Sequence, residues 1–226
     1  MAVALGSDVQ RLTDAVEDQL RNGWVKWPGG HVGQIELALI DAVFSIRAKY
    51  GQAATDTRRA SGVQAVVARW KQFRGVTTDD LTAIAGHDEA AFLDICDNRT
   101  LTSGRTKASA VQEAARGLLV AGVRSSSDFE IREIDARAAC VATRGLGDVT
   151  FNYLRMLLGL QDVKADTWVV RFVEGAIGRP VAPAETSALM HAAAAVFAQR
   201  PETCLPTTPS DLDHAIWYFQ SQHRAS

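Results

Sequence analysis

Residues 144–173, RGLGDVTFNYLRMLLGLQDVKADTWVVRFV, hold the side chains and turns with the clearest chemical potential. A helix is expected to end near Thr143, with Gly145-Leu146-Gly147 making a tight hairpin before a second helix opens at Asp148. Glycines at such a turn allow positive φ and close approach of another backbone. The unpaired N–H groups of the new helix can hold an anion such as a DNA phosphate. Arg144, Lys107 and Arg105 are candidate phosphate contacts on neighbouring elements. Asp148 puts a carboxylate where that anion would sit, although an acid in a first helical turn is also favoured by the helix dipole. Further along, Asp166 immediately precedes the apolar run WVVRFV and is placed to cap that helix with its carboxylate.

Other groups offer less. The loop WVKWPGGHVG at 24–33 carries Trp24, Trp27 and His31, which suit either a plug over an apolar core or stacking on a base. His87 and His214 look like surface positions, and no His/Asp/Glu cluster suggests a metal. Cys96, Cys140 and Cys204 are widely spaced and include no CxxC, which argues against a disulfide framework or an iron–sulfur cluster. Twenty-four basic residues against 26 acidic ones exclude a protein coated in positive charge, yet leave room for a local basic face. Nineteen of the basic residues are arginine, the side chain that forks onto phosphates. The N-terminus has no secretory pattern and the longest apolar run, 192–198, is far short of a membrane span, so a cytosolic protein is expected.

The elements that position these residues read as helices almost throughout. Ser7 and Gln10 suggest a capping box, followed by Val9, Leu12, Val16 and Leu20 at helical spacing. Further helices are expected at 34–50, 57–73, 106–121, 129–143, 148–159, 166–177, 184–199 and 210–222. Shorter turns are expected to be opened by Thr77 and Asp88. No window alternates with period two, so the expected class is all-α.

The 145–171 core resembles the helix-hairpin-helix plus Gly/Pro/Asp motif of the endonuclease III-like DNA glycosylases. Gly145, Gly147 and Thr150 match its hairpin, and Asp166, Thr167, Val169 and Arg171 match its second half. The pair Lys107-Ala108 is similar to the family's Lys-Ala helix start. ELALIDAVFSIRAKY (36–50) is similar to its early helix, whose end near Arg47 and Tyr50 meets DNA.

The resemblance implies two helical subdomains flanking a cleft, one spanning 34–150 and the other made of 1–33 with 151–226. The hairpin motif itself falls at about 133–159. Asp166 becomes the catalytic residue, with Gly145, Gly147, Thr150, Arg144, Lys107, Arg105 and Arg47 on DNA. Where bifunctional members carry a nucleophilic lysine the sequence has Val149, which forms no imine. Lys164, two residues before Asp166, reads either as a surface lysine or as a substitute for that nucleophile. Arg144 and Trp168 replace the family's proline and histidine, and no cofactor is implied. The expectation is a monomeric, monofunctional glycosylase acting on damaged double-stranded DNA. The alternative is an inactive scaffold that binds DNA or a protein.

Overall fold

A computed structural model describes residues 2–48, 50–200 and 204–223. Among them are twelve α-helices and one two-stranded sheet, an all-α fold. The chain divides into two compact units, Gly29–Gly159 and Met1–Pro28 with Leu160–Ser226.

The Gly29–Gly159 unit is built around α2 (Ile35–Phe44), whose ten residues are all buried. Packed on it are α3 (Gly62–Arg74), α6 (Lys107–Val120) and α9 (Asp148–Leu157). Around these lie α4 (Thr82–Ala85), α5 (Glu89–Cys96), α7 (Ser126–Ile131) and α8 (Glu133–Ala142). Between α5 and α6 sits a hairpin of β1 (Leu101–Thr102) and β2 (Arg105–Thr106), with Leu101 opposite Thr106 and Thr102 opposite Arg105. Its two turn residues, Ser103 and Gly104, both have left-handed backbone, at φ 48° and 82°, the conformation that matches strand twist in a two-residue hairpin.

Burying all of α2 places two carboxylates, Glu36 and Asp41, in the interior. Each is paired, as burial demands. Glu36 takes Trp70 Nε1 at 2.8 Å, Arg74 at 2.8 and 3.1 Å, and the Asp80 amide at 3.1 Å. Asp41 takes the Tyr50 hydroxyl at 2.6 Å and His31 Nε2 at 3.0 Å.

The second unit packs α1 (Ala2–Leu20) against α10 (Thr167–Ile177), α11 (Pro183–Ala198) and α12 (Pro209–His223). Leu12, Val16 and Leu20 form one stripe, Val169, Val173 and Ile177 another. Both repeat at four residues, the spacing that keeps side chains on one helix face.

Several boundaries differ from the sequence expectation. Ser7 lies inside α1 and opens no capping box. The helix expected over 34–50 stops at Phe44, and that over 57–73 begins only at Gly62. The 129–143 segment breaks at Arg132 into α7 and α8. Asp80 rather than Thr77 caps the short turn, accepting from the Thr82 amide at 2.9 Å. Because α9 packs on α2 and α8, the division between units falls at Gly159 instead of 150.

Candidate nucleic-acid interface and carboxylate site

Lys107 is the first residue of α6, and its side chain runs inward. Its Nζ donates to the carbonyls of Phe44 at 2.9 Å and Ile46 at 2.6 Å. These are the C-terminal carbonyls that a helix leaves unpaired, so Lys107 caps α2 from 61 residues downstream of Ile46. The chain then turns sharply, with Arg47 exposed and left-handed at φ 48°. Burial lowers the Lys107 pKa. A buried, internally bonded ammonium is no surface phosphate contact, which corrects that expectation for Lys107.

The β hairpin reaches the glycine turn. Arg105 Nη2 donates to the Arg144 carbonyl at 2.7 Å, and its other arm pairs with Glu113. Arg105 therefore braces the turn, with both arms bonded within the protein. Gly145 has φ 93°, and a Cβ there would lie 3.1 Å from both Thr102 Oγ1 and Ser103 Oγ. Gly147 differs: its backbone is extended at φ −157° and the space around it is open. Only Gly145 uses the left-handed freedom expected of both. Asp148, first in α9, pairs with Arg137 at 2.5 Å, so its charge is met locally. Thr150 is half-buried in the same first turn.

Arg47, Lys107 and Gly145 meet around one cavity of about 490 Å³, shared with Phe44, Val63 and Ser103. None of its described lining residues is acidic. Arg47 is a non-glycine residue in left-handed conformation, costing about 1–3 kcal/mol, and such strain gathers at ligand sites; Ser103 owes its own to the hairpin turn. Arg144 stands exposed beside it, its Nη2 3.5 Å from where a Gly104 Cβ would lie.

Asp166 belongs to the other unit. Its Oδ1 accepts from the amides of Trp168 at 2.8 Å and Val169 at 3.3 Å, capping α10 as expected. No hydrogen bond reaches Oδ2 among the described residues, and the side chain is half-buried. The preceding Ala165 is left-handed at φ 45°. Asp213 on α12 is buried and its Oδ1 accepts the Lys164 amide at 3.0 Å. Sequence reasoning missed Asp213. The spacing Ser210-x-x-Asp213 at a helix start, which puts both on one face, was the available signal.

The aromatic loop 24–33 is shared out between the units. Trp24 Nε1 donates to the Cys204 carbonyl at 2.6 Å, and Trp27 meets His214 edge-on at 5.2 Å. His31 bonds Asp41 in the Gly29–Gly159 unit instead. Tyr50 is likewise tied to Asp41, and burial, then that carboxylate, raises its pKa. No group of three potential metal ligands occurs among the described residues.

One family model matches, over residues 10–221, and its description is a domain of unknown function, DUF8548. The chain belongs to the DUF8548 family. No curated protein and no solved structure matches this DUF8548 chain. No DUF8548 helix among the described residues is long and apolar enough to cross a membrane.

Proposed function

We propose that this DUF8548 protein is a monofunctional DNA glycosylase that hydrolyses the N-glycosidic bond of a flipped, damaged base. The observation that carries this reading is the half-bonded carboxylate of Asp166. Oδ1 is spent on two amides of α10, while Oδ2 takes no bond among the described residues. Cleaving a glycosidic bond builds positive charge on the sugar. A carboxylate fixed by its cap and open on one side stabilises that charge and orients water. The cavity at Arg47 and Gly145, with no acid among its described lining residues, together with the open space at Gly147, supports phosphate contact at the glycine turn. Val149 supports hydrolysis without strand cleavage, because valine forms no Schiff base.

The test is base release from a panel of duplexes, each bearing one lesion. Asp166→Asn keeps the cap and removes the charge. It should lower the rate about a hundredfold or more, with DNA binding retained. The product should be an intact abasic strand, and borohydride should trap no adduct. Trapping would point to Lys164 or the terminal amine. Tight binding without base release from any duplex would favour the scaffold reading.

A further inference from the structure

Taking Asp166 as the residue that acts on the sugar, we propose that Asp213 is its positioning residue, holding the backbone from which Asp166 caps α10. Segment 162–166 is fastened to α12 at two points. Ser210 Oγ accepts the Asp162 amide and donates to the Asp162 carbonyl, each at 3.2 Å. Three residues on, Asp213 Oδ1 accepts the Lys164 amide at 3.0 Å. Val163 between those points and Ala165 just after them are buried in the core. An alanine held left-handed needs neighbours that over-determine it, and these two α12 side chains supply the constraint. The chain then enters α10 with Asp166 already in the capping conformation, at φ −74° and ψ 178°.

Asp213 also senses Asp166 electrically. Burial, and next the Asp166 charge, push its carboxyl up to about 7, against the Lys164 ammonium and the amides of Lys164 and Ala165. The other ionisable groups around this joint are Asp162, which His191 of α11 approaches at 3.5 Å, and Asp211 and His214 beside Asp213 on α12. A neutral Asp213 leaves the site's negative charge to Asp166.

Two measurements on the full chain test this without depending on base release. In a ¹³C-carboxyl NMR titration, Asp213 should show its midpoint near 7. Asp166→Asn should move that midpoint clearly down, and an unmoved midpoint would overturn the pairing. In hydrogen exchange, Asp213→Ala should speed the Trp168 and Val169 amides at least tenfold. Asp213→Asn, which keeps an acceptor, should stay near wild type; equal protection in all three proteins would overturn the positioning role. If Asp213→Ala does not fold, the Asp166→Asn titration decides alone. On any duplex the wild type processes, Asp213→Ala should lower kcat with KM unchanged and Asp213→Asn should alter the pH profile. If no duplex is processed, the glycosylase reading fails while the two physical measurements still judge the joint.

Discussion

Replacing Lys107 by methionine keeps an unbranched stem but removes the donors to the Phe44 and Ile46 carbonyls. The buried Phe44 carbonyl and the half-buried Ile46 carbonyl would lose their partner, and urea unfolding should show a loss of about 1–3 kcal/mol in all, most of it from Phe44. A surface lysine, as the sequence suggested, would instead change stability within about 0.5 kcal/mol. Its residue type was legible and its direction was not, because a helix's first turn can face either way. Thiol reactivity gives a second prediction at this scale. Cys96 and Cys140 are buried, with thiols pushed up to about 12, while Cys204 is exposed. Reaction with a thiol reagent should therefore titrate one cysteine in native protein and three after denaturation.

Among the elements, the two glycines of the turn should part company. Gly145→Ala must hold a left-handed backbone and press on Thr102 and Ser103, so thermal unfolding should register a cost of about 1–3 kcal/mol. Gly147→Ala meets nothing and needs no unusual φ. It should lower the melting temperature less than Gly145→Ala does, its cost being only that of a poorer N-cap for α9. Under the proposed function it should also weaken DNA binding, since a methyl then stands where a phosphate would approach. Helix positions were readable wherever local signals set them. Asp88 caps α5 and Asp166 caps α10, as their places before apolar runs imply, while Thr106, read as the first helical residue, caps α6 instead. The end of α2 was unreadable because its stop comes from Lys107, far along the chain. The β hairpin escaped notice because two-residue strands carry no alternation, although Ser103-Gly104 is a turn signal. The Asp166 cap was visible in sequence, but the Asp213 joint beneath it depends on tertiary packing.

For the molecule as a whole, Asp213 ties stability to pH. Unfolded, it titrates near the ordinary value of 3.8, and folded near 7, so the native state binds the proton more tightly. The stability this gives is complete below about 4 and is lost as pH rises through 7. Comparing wild type with Asp213→Asn cancels the other groups. The wild type's advantage should shrink steadily from pH 4 to 8, as followed by chemical denaturation. The all-α class was legible from periodicity alone; the split into a middle unit and joined chain ends came with the resemblance, and its far boundary was misplaced because it depends on which helices α9 touches.

That division has a consequence for synthesis. The apolar stripe of α1, Leu12, Val16 and Leu20, packs with α10, α11 and α12, and the 131 residues Gly29–Gly159 are made in between. At ordinary elongation rates, on the order of 5–20 residues per second, α1 waits roughly ten to thirty seconds before its partners exist. Meanwhile Gly29–Gly159, contiguous in sequence, already has all of its own helices. Helix α1, made ahead of that unit, thus finds its place after it, and until then its stripe is an apolar surface open to a chaperone.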